Sequence, residues 1–378
     1  MFVSEISLAG IRSFDSVHLH LSPRMNVLVG ANNCGKSTLL RAVLGLQHTP
    51  VFDLGVDARH GYSATAPAFK LVLDGALQPP YQMLAGPLSI KWERNAFNGS
   101  MPTNGGVGIG SPAFSPTMPN NAVYPYLSRR KAVAYSESVR VNESSTIGTN
   151  FEFLYAKLDY VTNSERPVFG RFMQACEDIL GFRVSTAPSD AGKRGVFIID
   201  DFRTIPVSAM GEGVTNILGL LVDLFIARGK IFLIEEIEND IHPGALKKLL
   251  VLIASDEREN QFLVSTHSNI VVRNLCIGPD HKLFNVSMKL LDRIATSAVE
   301  NVPPEPAARR AVLEELGYEF ADFDLHAAWL FLEESSAEQI IRDYLVPWFT
   351  PNLSGRLRTF AAGGVDKVQS KFDDYLYF

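Results

Sequence analysis

Charge is scarce in this 378-residue chain: Asp, Glu, Lys and Arg together make up 20%, against roughly 25% in an average globular protein. Long coiled-coil arms need a composition dominated by Ala, Glu, Lys, Leu and Arg, so none is expected. A basic excess is missing too. With 35 Lys and Arg against 41 Asp and Glu, the net charge is −6, and nothing in the total announces nucleic-acid binding. A local basic face stays open, because a total says nothing about distribution. Cysteine is rare: Cys34, Cys176 and Cys276 are odd in number and widely spaced, which excludes a disulfide framework or a cysteine metal cluster. The longest apolar run, 217–227, is broken by Asp223 and falls short of the ~18–20 residues that span a bilayer. Glu5 precedes any long apolar run, which does not suit a signal peptide. A soluble, cytoplasmic protein with no membrane partner is expected. The length, 378 residues, suits two or three ordinary domains, and the 46% of apolar residues is an ordinary globular share.

The pattern along the chain is alternating. VHLHL (17–21) has the period of a half-buried strand, with His18 and His20 on its solvent face. Two histidines at this spacing suit a metal, but the sequence shows no third ligand, and polar strand positions are the preferred reading. NVLV (26–29) runs into a glycine-rich turn and then a helical pattern, TLLRAVLGL. FKLVLDG and LSIKWER read as further strands. Residues 95–121 hold five Gly, four Pro, five Asn and no charge, and are expected to form a long mobile loop. In YPYLSRRK, Arg129, Arg130 and Lys131 beside Tyr124 and Tyr126 have the chemistry to touch a phosphate backbone, although a solvated turn is favoured. A helical region is expected around 151–160 and another over 171–182. From Val196 a β/α rhythm resumes. Val214, Ile217, Leu218, Leu221, Leu224 and Phe225 share a helix face, and KIFLIEE and QFLVSTHS read as buried strands separated by a second helix. This order predicts a mostly parallel, doubly wound sheet. NVPPEPAA (301–308) reads as a linker.

Three short segments carry chemistry. Gly30-Ala31-Asn32-Asn33-Cys34-Gly35-Lys36-Ser37 fits G-x-x-x-x-G-K-[ST] at every position and lies between a strand and a helix. Its backbone N–H groups can curl around phosphate oxygens, Lys36 reaching the β- and γ-phosphates and Ser37 a Mg²⁺ ion. IFLIEE ends a buried strand in Glu235 and Glu236, a costly pair unless metal or solvent meets it. Glu235 is read as the metal carboxylate and Glu236 as the base acting on water. His267 closes the next strand, VSTHS, where ligands of parallel sheets gather.

Together, GANNCGKS, IFLIEEIENDIHP and VSTHS resemble the ABC-type ATPases of the RecF/SMC/OLD group. The resemblance implies a P-loop NTPase of the α/β class. It would comprise an ABC-type ATPase head (1–50 and 195–300), an inserted β/helical lobe (51–194), a linker and helix (301–327) and a small C-terminal α/β segment (328–378). It implies ATP and Mg²⁺ as cofactors. The implied nucleotide-binding set is Arg12, Gly30, Asn32, Asn33, Cys34, Gly35, Lys36, Ser37 and Thr38, with Arg12 and Phe14 near the base. Ser37 and Glu235 would serve the metal, and Glu236 and His267 catalysis. Ser208, Gly211, Glu212 and Gly213 match a signature loop that acts on a second subunit's nucleotide, in the Gly-Glu-Gly form of OLD-like ATPases. Asn239 and Asp240 take the D-loop position. For the Q-loop glutamine, Gln78 and Gln82 are available without a distinguishing context. Two such heads sandwich two nucleotides, so an ATP-dependent homo-oligomer, at least a dimer, is implied.

AWLFLEESSAEQIIRDYL (328–345) resembles the opening of a Toprim nuclease fold, with Glu333 as its strand-end acid and Ser335 and Glu338 as a capping box. Glu334 stands where that family has glycine, and no Asp-x-Asp motif occurs between Glu333 and Phe378. A two-metal nuclease needs more carboxylates than these. The leading expectation is therefore an ATP-driven conformational switch controlling a separate nuclease or toxin effector, in antiphage defence or DNA repair. The second is an OLD-type, metal-dependent DNA endonuclease, and the third an ATP-bound scaffold with negligible turnover.

Overall fold

The computed structural model describes residues 1–48, 51–59, 67–84, 86–93, 103–104, 107–109, 113–127, 154–189, 192–239, 241–276, 278, 280–291, 294–318, 328–354 and 357–376. The chain divides into two compact units, Met1–Val302 and Pro303–Phe378.

In the first unit the strands, in chain order, are β1 (Phe2–Ile11), β2 (Phe14–His20), β3 (Met25–Val29), β4 (Ala68–Asp74), β5 (Leu88–Trp92), β6 (Thr103–Asn104), β7 (Val107–Gly108), β8 (Val123–Tyr126), β9 (Arg183–Ser189), β10 (Gly192–Ile198), β11 (Thr204–Pro206), β12 (Ile231–Glu235), β13 (Gln261–Thr266), β14 (His281–Leu291) and β15 (Ile294–Val302). The central sheet runs β15-β14-β3-β13-β12-β8. Its five strands from β14 to β8 are parallel, and β15 closes the edge antiparallel to β14. Every residue of β3, β12 and β13 is buried. Covered on both faces, such strands read as continuous apolar runs rather than alternating ones.

A second sheet, β2-β1-β4-β5-β6-β7, is antiparallel. Here alternation does hold: in β2, Leu19 is buried while His18 and His20 are exposed. Between the two sheets lies the helix Lys36–Leu44, whose Leu39, Leu40, Ala42 and Val43 are fully buried in a core shared with Phe52, Phe69 and Trp92.

Several stretches expected in an inserted lobe pair with the head instead. β4 pairs with β1, and β8 lies parallel to β12 in the central sheet. Tyr124 and Tyr126, read as neighbours of a basic patch, are therefore core residues: Tyr124 stacks on Phe232, and Tyr126 donates to the Gly219 carbonyl. Arg129, Arg130 and Lys131 lie outside the described residues. The expected mobile loop is packed where it is described. Ile109, Ala113 and Phe114 are buried, and Phe114 N–H donates to Leu46 O at 2.8 Å. Apolar residues scattered through a polar stretch can join the core, which local composition does not weigh.

Helices Leu154–Val161, Phe169–Leu180, Glu212–Ile226, Pro243–Ala254 and Asn269–Leu275 accompany the sheets. The helix 212–226 is buried all round from Leu218 to Leu224 rather than on one face. Asp223, in that buried stretch, receives Lys157 Nζ at 2.7 Å and the Tyr126 hydroxyl at 2.5 Å. All three cysteines are buried, and none forms a disulfide.

The second unit holds β16 (Ala328–Leu332) parallel to β17 (Leu357–Ala361), with helices Pro306–Glu315, Ser335–Ile340 and Val365–Leu376. Phe331 stacks on Phe360. The expected capping box does not form: Glu334 takes the N-cap position, and Glu338 accepts from Thr359 Oγ1 at 2.9 Å.

Candidate functional site

Strand register brings the site together. Val29 pairs with Thr266, and Ser265 with Glu235. The chain thus leaves β3, β13 and β12 side by side at their carboxyl ends, where parallel sheets collect ligands. From β3 the loop 30–35 turns into the helix Lys36–Leu44. Asn33 at φ 63° and Gly35 at φ 113° lie in the left-handed region. At Gly35 a Cβ would stand 2.8 Å from the Phe14 ring, so this turn admits only glycine. The pocket it borders, about 370 Å³, is lined by Asn32, Asn33, Cys34, Gly35, Lys36, Ser37, Glu235, Glu236 and Ser265.

Lys36 Nζ donates to the carbonyls of Gly30 (2.7 Å) and Ala31 (2.8 Å), with the Cys34 thiol at 3.8 Å. Burial pushes its ammonium below the ordinary lysine value, opposed by Cys34, Glu236 and Glu238. An anion in the pocket would offset that cost of burial. Ser37 Oγ donates to Glu235 Oε1. A hydroxyl and a carboxylate meeting on the pocket wall are hard oxygen donors, and they fit Mg²⁺.

Glu236 adopts φ 51°, a conformation that costs an ordinary residue about 1–2 kcal/mol and recurs at functional sites. Its N–H donates to Ser265 O at 2.9 Å, and its Oε2 accepts from Asn239 Nδ2 at 2.6 Å. His267 Nε2 lies 3.4 Å from Glu236 Oε1, and His267 Nδ1 lies 2.8 Å from Gly30 O. Arg12, at φ 51°, donates to Asp57 Oδ1 (2.7 Å) and to Thr38 Oγ1 (3.3 Å). It therefore stands at the first turn of the phosphate helix.

Other expected residues lie elsewhere. Phe14 is fully buried against Gly35, a floor for the loop rather than a face for a base. Gln78 bridges Gly229 O and Lys230 Nζ at the opposite end of β12, and Gln82 is exposed; neither lines the pocket. Ser208 and Gly211 are exposed just before the helix Glu212–Ile226, and neither they nor Gly213 lines the pocket. Asp240 lies outside the described residues. Glu333 is exposed after β16, and among the described residues it belongs to no group of three or more His, Cys, Asp or Glu placed to hold a metal.

Sequence reading missed three residues. Glu238 Oε1 accepts both Thr266 Oγ1 (2.8 Å) and the His267 N–H (2.7 Å). It therefore orients the segment that carries His267. Ser265 lines the pocket from β13. Ser297, from β15, donates to Cys34 O at 2.6 Å and lies 2.7 Å from Ser13 Oγ. For Glu238 the only signal was a third acid in IEEIE; Ser297 carried none.

Comparison with known proteins matches parts of the chain to ATPase domains. A family described as "AAA domain, putative AbiEii toxin, Type IV TA system" matches residues 128–273, and one described as "AAA ATPase domain" matches 1–50. The DNA replication and repair protein RecF of Latilactobacillus sakei subsp. sakei (strain 23K) is 46% identical over 43 residues, which is 11% of this chain and 12% of that protein. Among solved structures, the Smc head domain with a coiled coil and joint from Pyrococcus yayanosii superposes with TM-score 0.56 at 11% identity. It covers 84% of this chain and 100% of that one. The Smc head bound to the C-terminal domain of ScpA, derived from Pyrococcus furiosus, gives 0.52 at 13% identity, over 84% and 100%. An SmcHead bound to the C-winged helix domain of ScpA gives 0.55 at 15%, over 80% and 99%. The chain has the α/β fold of an ABC-type ATPase head.

Proposed function

We propose that this protein is an ATP-binding and ATP-hydrolysing conformational switch whose heads join on ATP and part after hydrolysis. The observation that carries the reading is the meeting of Lys36, Ser37, Glu235 and Glu236 on the wall of one polar pocket, with His267 Nε2 3.4 Å from Glu236 Oε1. The loop 30–37 would cradle the phosphates, with Lys36 placing its ammonium among their oxygens. Ser37 and Glu235 would hold Mg²⁺, which when bound neutralises phosphate charge. Glu236 would take a proton from the water whose oxygen bonds to the γ-phosphorus as the bond to the β-γ bridging oxygen breaks. His267, held by Gly30 O and by Glu238, would donate toward the γ-phosphate. The signature loop, Ser208 to Gly213, in which Ser208 and Gly211 are exposed, would complete a second copy's site, with Asn239 coupling Glu236 to that interface.

The switch would control a separate nuclease or toxin effector, in antiphage defence or DNA repair. What supports this finer reading is the toxin–antitoxin description of the matched family and the replication and repair name of the RecF relative. The nuclease reading rests on Glu333 alone. It would be revived by metal-dependent DNA cleavage that Glu333→Ala abolishes.

The decisive experiment measures ATP turnover and molecular mass together. Glu236→Gln should stop turnover and accumulate an ATP-bound dimer that Gly213→Asp prevents. Wild-type turnover no greater than that of Glu236→Gln would reject hydrolysis; a mass indifferent to ATP in Glu236→Gln would reject the switch.

A further inference from the structure

We propose a second metal site on the outer face of the β1–β2 hairpin, formed by Glu5, His18 and His20 and selective for divalent ions of the zinc class. The two histidines lie two residues apart on an exposed strand face. The antiparallel register then sets Glu5 directly opposite His20 and Ser7 directly opposite His18. All four side chains share one face of the ladder.

The geometry is that of a ligand set. His18 Nε2 and His20 Nε2 are 3.2 Å apart, and their rings are perpendicular. Two imidazole nitrogens each 2.0–2.1 Å from one tetrahedral ion are about 3.3 Å apart. Glu5 Oε1 lies 3.6 Å from His20 Nδ1, and Glu5 Oε2 lies 4.0 Å from His18 Nε2. One donor atom from each of the three residues falls within 4.8 Å of the others. A supporting hydrogen bond is present as well: Ser7 Oγ lies 2.7 Å from His18 Nδ1. If Nδ1 is the protonated nitrogen, Nε2 keeps its lone pair for the ion, the arrangement usual behind metal-bound histidines. Two imidazoles and one carboxylate suit Zn²⁺, Co²⁺ or Ni²⁺ and do not suit Mg²⁺, which prefers all-oxygen sites. Side-chain exposures of 49% and 65% for the histidines leave the remaining coordination positions to water.

The ion would clamp β1 to β2. The turn of that hairpin carries Arg12, which reaches Thr38 beside the phosphate loop. The clamp is thus built into the strand pair that supports the nucleotide pocket, without entering the pocket.

The test uses the full chain without a polyhistidine tag, stripped of metal and nucleotide, in excess Mg²⁺. Zn²⁺ is titrated in competition with a chromophoric chelator, and Co²⁺ by its visible absorption. One Zn²⁺ per chain should bind at this site and raise the melting temperature. His18→Asn, His20→Asn and Glu5→Gln should each weaken binding more than ~10-fold, and Ser7→Ala about tenfold. His267→Ala should leave binding unchanged, which separates this site from the pocket. These substitutions lie on an exposed face, and circular dichroism checks that the variants fold. The proposal is overturned if the wild type takes up no Zn²⁺, or if His20→Asn binds it with undiminished stoichiometry and affinity.

Discussion

His267 faces Glu236 across 3.4 Å, its Nε2 toward Oε1, while its other ring nitrogen lies 2.8 Å from the carbonyl of Gly30. The histidine after β13 thereby joins the acid after β12 to the first residue of the phosphate loop. If Glu236 acts as the proposed base, a group held between it and the phosphate loop is placed to register whether the γ-phosphate is present.

From that contact, Glu236→Gln should lower ATP turnover by roughly 10²–10⁴-fold, the range of a lost general base, with nucleotide affinity retained. His267→Ala should lower turnover by a smaller factor, roughly 10–100-fold. Steady-state phosphate release beside equilibrium nucleotide binding checks both. Equal losses of affinity and turnover would assign the pair to binding instead.

Glu238→Ala tests the residue that orients His267. It deprives the Thr266 hydroxyl and the His267 N–H of their acceptor, which should cost about 2–3 kcal/mol of stability. Turnover should fall with little change in KM for ATP. Glu238→Gln, which keeps an acceptor oxygen, should recover most of both. Denaturant unfolding and turnover on the same samples separate the two effects.

Gly35→Ala should be among the most damaging small substitutions. The new methyl would meet the Phe14 ring at 2.8 Å, at φ 113°. Overpacking and left-handed strain together come to about 2–4 kcal/mol. Phe14→Leu should restore part of the stability in the double variant, and a double-mutant cycle on unfolding free energies measures the coupling.

Lys230 makes stability depend on pH. Its ammonium is buried at the start of β12, donating to Gln78 Oε1, Pro119 O and Asn121 O. Burial lowers its pKa from 10.5 to about 8. Between those values the unfolded chain binds more protons than the folded one, so this group makes stability rise with pH from about 8 toward 10.5. Below about 8 its contribution is flat. The rise should amount to about 1–3 kcal/mol and vanish in Lys230→Met. Urea midpoints at pH 7.5 and pH 9.5, chosen as roughly spanning the lower part of this window, check the sign.

Much of the pocket was legible because its parts are local. A phosphate loop is eight consecutive residues between a strand and a helix, and each residue's task follows from its neighbours. Glu235, Glu236 and His267 were legible for a related reason: each ends an apolar run, and a polar group there needs a partner. Burial on both faces likewise writes the parallel strands into the sequence as unbroken apolar runs.

The remainder depends on strand register, which joins residues far apart in the chain and which no local pattern encodes. Gln78, available for the nucleotide, is engaged at the far end of β12, and Phe14 lies beneath the loop instead of beside a base. The packing of Phe114 holds down a segment whose composition reads as loop. Ser297 reaches Cys34 because β15 runs antiparallel to β14, and Glu5 meets His18 and His20 because β1 pairs with β2. By itself the sequence singled out the residues with the chemistry to bind phosphate and, on the proposed reading, to cleave its anhydride bond, since that chemistry needs particular groups at short spacing. Which distant residues orient those groups, and where a second set of ligands gathers, was decided only when tertiary structure set the strands side by side.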